Sequence, residues 1–458
     1  MYFEQITTPG LGCFSFAIGC PAAGVMAVID PRRDIDVYLR VAGENSMRVT
    51  HIFDTHVHAD HVSGAQDLRE AAGADIYVHE SVPAVYEAKK LKNGDEFTFG
   101  NAALRVLHTP GHTPNSVSFL VTDLGRSVEP QMILTGDLLF VGDVGRPDLP
   151  GEEILSEQVE SLYTSLYKTL APLPDYLEVY PSHGQGSLCG KGMSAKPFST
   201  LGYERRANPM LQYPDFDSFK QAILSNTPMR PQSFSAIINT NINTITPIPK
   251  RGSGEYALCA DKTDAMRASG ALLLDLRDAF SFAAAHISGS INVDFSDGPK
   301  LNWVGVALPP NVPLVLVLSH DDCFEDTYLE LRRIGCDQVK GWLKGGIHAW
   351  IESGRETESL ECLSVSTLQA RLTGSNPPVI IDVRSPDEFK NVKIENAVNL
   401  TFDRLVKQKS CPVDSARAIV VVCQGGFRAG IAASMLKAQG CANVGVLTGG
   451  MNAWTHAR

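Results

Sequence analysis

The stretch Thr55-His56-Val57-His58-Ala59-Asp60-His61 puts three imidazoles and a carboxylate within six residues. No other feature restricts the fold so much, because donors this dense need a rigid scaffold to aim them. The run "VTHIFDT" leads into the stretch and reads as a strand that ends at it. Further donors recur at similar strand-end places: His112 in "HTPGHTPNS", Asp137 in "ILTGD" and His183 in "YPSHG". Alternate residues of an extended segment point the same way. His56 and His58 can therefore reach one ion, while Asp60 and His61 turn toward a neighbouring position. Imidazole and carboxylate suit zinc, iron or manganese. The isolated His51, His79 and His108 are expected to be ordinary, partly buried side chains.

The 458 residues allow about three domains. Residues 1–226 alternate short apolar runs with glycine and histidine turns and form the first expected domain. Residues 227–254, rich in Pro, Gly, Asn and Thr, read as a linker. An internal repeat follows. "LLLDLRDAFSFAAAHISGSINV" (272–293) matches "VIIDVRSPDEFKNVKIENAVNL" (379–400), pairing Asp275 with Asp382, Arg277 with Arg384, Ile287 with Ile394 and Asn292 with Asn399. "LKGGIHAW" (343–350) later matches "LTGGMNAW" (447–454). The period is too long for a solenoid unit and implies two small α/β domains, 255–355 and 362–458.

The ten cysteines do not read as a disulfide framework, and without a C-x-x-C pair they do not form a structural zinc site. Most are expected to be small buried hydrophobes. Cys423 is different: "AIVVVCQGGFRAGIAASMLKAQG" is a strand, a loop and a helix. A thiol at a helix N-terminus meets unpaired N–H groups and a positive dipole end, so its thiolate should form readily. Gly425 and Gly426 let the backbone curl around the sulfur, and Arg428 adds positive charge for an anionic substrate. The first copy reads "LVLVLSHDDCFEDTYLELRRIG", with Ser319 about where the nucleophile should be and four acids that would repel an anion. It is expected to be inactive, a spacer or an interface.

Net charge of −11 without a long basic run argues against nucleic acid. No apolar run approaches the length of a membrane span, and the N-terminus lacks a secretory pattern. A cytoplasmic protein that binds no membrane is expected.

The order H-x-H-x-D-H, histidine, aspartate, histidine resembles the metallo-β-lactamase superfold over residues 1 to about 225. The resemblance implies an αββα sandwich with His56, His58 and His112 at one site, Asp60, His61 and His183 at a second, and Asp137 between them. Two-zinc thioester hydrolases of the glyoxalase II kind use that set, with metal-bound hydroxide as nucleophile. The persulfide dioxygenase branch carries the same motif and implies one Fe(II) per chain on His56, His112 and Asp137, leaving His58, Asp60, His61 and His183 to orient ligands and waters. The turn "GDVGRPDL" and the segment "GYERRANPML" resemble that branch, with Arg146 of the turn a candidate substrate contact. Cys189, six residues after His183 in a glycine-rich loop, is a candidate substrate contact.

The two repeat copies resemble rhodanese, the second nearly throughout, including "DVRSPDEF" and the Cys423–Arg428 loop. Four residues separate that cysteine and arginine, one fewer than in related phosphatase loops, which fits a smaller cradle for a persulfide or thiosulfate sulfur. Together the resemblances imply a fusion of sulfide detoxification: a small-molecule persulfide and O2 give thiol and sulfite, and Cys423 moves sulfur to or from sulfite or thiosulfate. A homo-oligomer is implied by the family alone. The alternative is a two-Zn2+ thioester hydrolase carrying a sulfurtransferase.

Overall fold

Apolar alternation along the first 200 residues resolves into two six-stranded sheets. The computed structural model describes residues 1–225, 230–245, 253–296, 300–408, 410–413 and 417–457. It divides into two compact units, one of Met1–Pro249 with Leu329–Gly335, the other of Lys250–Tyr328 with Cys336–Arg458.

In the first unit one sheet runs in the order Tyr2–Thr8, Cys13–Cys20, Val25–Ile29, Arg48–Phe53, Asp75–His79, Lys89–Leu91. The other runs Ser199–Thr200, Glu178–Pro181, Met132–Gly136, Val117–Asp123, Ala102–His108, Glu96–Phe99. Their facing sides share one core, with Phe16, Phe53 and Tyr77 from the first against Phe119, Leu134 and Tyr180 from the second. The outer face of the first sheet is covered by helices Asp36–Glu44 and Ala65–Ala72, which bury Tyr38, Val41 and Leu68. Leu155–Thr164 and Phe216–Leu224 cover the other through Val159, Leu162 and Phe219. Each sheet hides one face on its neighbour and one under helices, which makes the layers α, β, β, α.

The two repeat copies of the second unit have the same five-stranded parallel sheet. The first orders Ala257–Leu258, Val339–Leu343, Leu314–Val317, Leu272–Asp275, Ile291–Asn292, and the second Glu361–Leu363, Val444–Leu447, Ile419–Val422, Val379–Asp382, Val398–Asn399. The matched residues explain the repeat physically. Arg277 grips the buried Asp275 through Nε at 2.9 Å and Nη2 at 2.6 Å, and Arg384 grips Asp382 at 3.0 and 2.7 Å. Asn292 donates to the carbonyls of Asp275 and Arg277, as Asn399 does to those of Asp382 and Arg384. These contacts tie together the strand ends of each copy, and in the second copy Arg384 also donates to Gln424 beside Cys423 at 3.2 Å.

Three expectations differ from the structure. The stretch read as a linker holds a helix, Ser233–Ile242, with Phe234 and Ile237 buried; residues 227–229 and 246–252 of that region lie outside the described ones. Cys411 and Cys441 are joined in a disulfide that their spacing did not suggest. In the first copy the register pairs Asp275 with Val317, as Asp382 pairs with Val422, so the counterpart of Cys423 is Leu318 and not Ser319. A buried leucine therefore stands where the second copy has its thiol. Among the described residues no helix is long and apolar enough to cross a membrane.

Candidate metal centre and sulfur-carrying loop

Strands of the first unit deliver the donors. His56 follows Arg48–Phe53, His112 follows Ala102–His108, Asp137 directly follows Met132–Gly136, and His183 follows Glu178–Pro181. All four are buried. His56, His112 and Asp137 converge, with candidate ligand atoms within 4.8 Å of one another. His112 Nε2 lies 3.2 Å and His56 Nε2 3.8 Å from Asp137 Oδ2. All three of these atoms are buried and without a hydrogen-bond partner. Desolvating three polar atoms unpaired, side by side, costs about 1–3 kcal/mol each, and a cation between them removes the cost.

The far nitrogens of both rings are fixed. His112 Nδ1 faces the Arg146 carbonyl at 2.8 Å, and His56 Nδ1 faces Thr55 Oγ1 at 2.9 Å. A proton on each Nδ1 leaves the Nε2 lone pairs aimed at the shared position. Burial, then the neighbouring His58, holds the His56 pKa well down, and burial lowers that of His112. Burial alone would raise the Asp137 pKa, but the charges of His183 and His112 outweigh it and keep it low. Neutral imidazoles with an ionised carboxylate are the forms that bind a metal.

The second group is built differently. Asp60, His61 and His183 gather with Cys13, which the sequence reading missed. Cys13 Sγ donates to Asp60 Oδ2 at 3.0 Å, and His183 Nε2 reaches the same oxygen at 2.8 Å. His61 Nδ1 lies 3.1 Å from Asp60 Oδ1, and His183 Nδ1 2.5 Å from Asp137 Oδ1. Burial would lower the His183 pKa, but Asp137 and the other anionic partners raise it well above the usual value. His183 thus bridges Asp60 and Asp137 through its two ring nitrogens. His58, which alternation would let share an ion with His56 and which the dioxygenase resemblance leaves to orient ligands, groups with Asp30 and Asp54; its Nε2 lies 3.2 Å from Asp30 Oδ1 and its Nδ1 has no hydrogen-bond partner.

Asp30 is the hub beneath the loop. It accepts from Thr55 N–H at 2.7 Å, Thr55 Oγ1 at 2.8 Å and Ser182 Oγ at 2.6 Å. From the other side, Asn241 of the unexpected helix donates to the carbonyls of His58 and His61 and accepts from Ser63 N–H. Asp30 ends the apolar run "GVMAVID", the strand-end signature of the other donors, so it was findable; Cys13 and Asn241, far off in sequence, were not.

Arg146, expected to meet substrate, is bound to Asp148 through Nε and Nη2 and to the Leu188 carbonyl. Its carbonyl, holding His112, is what serves the centre. Cys189 does lie beside Asp137 and His183, fully buried, with its thiol pKa pushed up by burial.

In the second unit Cys423 ends the strand Ile419–Val422 and is buried. Its Sγ accepts the Gly426 N–H at 3.1 Å. Gly426 has φ +109°, a conformation that favours glycine, whereas a Cβ at Gly425 would meet only Asn452 Nδ2, at 3.9 Å. Arg428, expected to face the substrate anion, is paired with Glu388 at 2.7 and 3.0 Å. Asp321 in the first copy closes the corresponding loop by accepting the Gly345 N–H.

The profile of the metallo-beta-lactamase superfamily matches residues 19–183, and that of the rhodanese-like domain matches 260–353 and 364–457. A metallo-beta-lactamase from Staphylococcus aureus of known structure is 32% identical, with a TM-score of 0.67, over 75% of this chain and 98% of its own. The chain belongs to the metallo-beta-lactamase superfamily and carries two rhodanese-like domains. The metallo-beta-lactamase part is also 27% identical to the mitochondrial persulfide dioxygenase ETHE1 of Bos taurus, over 52% of this chain and 87% of that protein. It is 28% identical to hydroxyacylglutathione hydrolase GloC of Haemophilus influenzae, over 40% of this chain and 86% of that one.

Proposed function

We propose that the metallo-beta-lactamase domain oxidises a low-molecular-weight persulfide with O2 to thiol and sulfite, and that Cys423 moves the sulfane sulfur that links persulfide and thiosulfate. The observation that carries the first half is the trio of orphaned atoms on His56, His112 and Asp137. Two imidazoles and one carboxylate, with positions left open, suit a single Fe(II). When bound, the iron would supply the activation of O2 that closed-shell sulfur chemistry lacks. Persulfide, O2 and water become thiol, sulfite and two protons: the terminal sulfur loses four electrons and O2 gains four.

The chain's own residues do the rest. Thr55 and the Arg146 carbonyl hold the two rings in one tautomer. Asp30 and Asn241 fix the loop that carries His56. His183, held between Asp60 and Asp137, keeps its proton and satisfies the carboxylate oxygen that faces away from the trio. At the second rhodanese-like domain, the Cys423 persulfide gives its outer sulfur to sulfite. The Sγ–S bond breaks with its electron pair left on Cys423, a new S–S bond forms, and thiosulfate leaves. Sulfane-sulfur carriage and sulfite production in one chain would serve sulfide detoxification.

A two-zinc thioester hydrolase is the second reading, favoured by Asp60, His61 and His183 all lying buried beside the trio. Metal analysis with O2 uptake separates the two. About one iron per chain and persulfide-dependent O2 consumption support the oxygenase; about two zincs with thioester hydrolysis and no O2 consumption would replace it. Cys423→Ser should leave O2 uptake intact and shift the product from thiosulfate to sulfite. An unchanged product ratio would remove the transfer step.

A further inference from the structure

The second rhodanese-like domain does not stand alone around its sulfur loop. A cavity of about 280 Å³ lies against Gly425, Gly426 and Phe427, and the degenerate first domain supplies its opposite wall with Phe280 and Lys300. The two domains are joined there. The backbone N–H of Asn292 in the first donates to Ser434 Oγ in the second at 3.0 Å. Trp303 of the first packs edge-on against Phe427 and Phe402 of the second, at centroid distances of 5.6 and 5.4 Å. The wall is thus fixed in place by polar and aromatic contacts.

The lining has the marks of a binding surface. Phe280 is 64% exposed although it lines the cavity, an aromatic face left uncovered. Lys300 Nζ sits 4.2 Å from the centre of the Phe427 ring and makes no ion pair among the described residues. The acid on the same wall, Asp294, is occupied by the N–H groups of Ser296 and Ala279. Arg428 is held by Glu388 and does not neutralise an incoming anion freely. The one uncommitted cation beside the sulfur loop, among the described residues, therefore comes from the domain without a nucleophile.

We propose that the first rhodanese-like domain completes an acceptor site for the second, taking a small organic thiol with its carbon skeleton between Phe280 and Phe427 and its carboxylate on Lys300. This rests on the reading of Cys423 as a sulfur carrier. The acceptor thiolate attacks the outer sulfur of the Cys423 persulfide. The Sγ–S bond breaks with its electron pair on Cys423, and the acceptor leaves as an organic persulfide, the class of molecule that the first domain is proposed to oxidise. Cyanide or sulfite, with no carbon skeleton of this kind, has no use for the cavity. Apolar walls with few placed polar groups are the usual form of such a site.

The test uses the full chain, thiosulfate as donor and three acceptors: cyanide, 3-mercaptopropionate and 1-propanethiol. The last two differ in the carboxylate. Wild type should show a KM for 3-mercaptopropionate at least fivefold below that for 1-propanethiol. Lys300→Gln should abolish that preference, and Phe280→Ala should raise both thiol KM values relative to that for cyanide. Lys393→Gln, over Phe389 and outside the cavity, serves as the charge control and should keep the preference. Cyanide transfer with no preference in wild type, or with the preference intact in Lys300→Gln, overturns the acceptor site alone. Absence of cyanide transfer in wild type overturns the sulfur-carrier reading and the acceptor site with it.

Discussion

Thr55→Val isolates one hydroxyl on which the metal centre depends. The Thr55 Oγ1 proton goes to Asp30 Oδ2 at 2.8 Å, so the oxygen's lone pair is left to accept from His56 Nδ1 at 2.9 Å. Valine keeps the shape and removes both bonds. Without metal, the His56 ring of the variant can move its proton to the other nitrogen and recover. With metal on Nε2 it cannot, and a buried Nδ1–H is left with no acceptor. That penalty is about 1–3 kcal/mol, which is roughly a 5- to 150-fold loss of affinity. Similar losses of about 10- to 100-fold follow removal of comparable outer partners at other metal sites. The measurement is the Fe(II) dissociation constant by competition with a chromophoric chelator under anaerobic conditions, with Thr55→Ser as the control that keeps the hydroxyl. A Thr55→Val constant within twofold of wild type, or a Thr55→Ser variant equally weakened, would refute the tautomer argument.

Gly145→Ala should abolish metal retention, because a Cβ there would stand 1.8 Å from the Asp137 carbonyl oxygen and 3.1 Å from His112 Nδ1; metal content after desalting checks this. Gly450→Ala should eliminate cyanide-dependent sulfur transfer while sparing O2 uptake, since its Cβ would meet the Cys423 carbonyl at 2.3 Å. Burial, aided by the charge of the stacked His108, lowers the His79 pKa to about 4. The unfolded chain then binds more protons than the folded one below the ordinary histidine range, so this residue's contribution is intact above about pH 6.5 and is lost as pH falls toward 4. Urea midpoints of wild type should drop across that window, and His79→Gln should drop less.

The legible parts of this chain were those whose meaning is local. A strand that ends in a donor announces itself by an apolar run before a glycine or proline turn, and four such ends placed His56, His112, Asp137 and His183. The Asp-Arg-Asn framework of the repeat was visible because both copies keep it. What escaped depends on register or on distance. Ser319 lies one residue past the position that pairing with Asp275 makes equivalent to Cys423. The helix Ser233–Ile242 is poor in strong helix formers and rich in Asn and Ser, so propensity argued for a linker. Burial of Phe234 against Ala59 and Leu149 overrides it. Whether His58 faces an ion or Asp30 is a matter of one ring's surroundings, and alternation along the chain says nothing of what waits on each side.

Asn241 gives that helix a significance beyond packing. Its single amide ties together the His58 and His61 carbonyls and the Ser63 N–H, all within the loop that bears four of the seven donor residues. A fragment cut at residue 226 would therefore contain every donor and still lose the brace that shapes their loop. Anyone dissecting this protein, or transplanting its metal domain into another chain, should set the boundary by the last brace and not by the last donor.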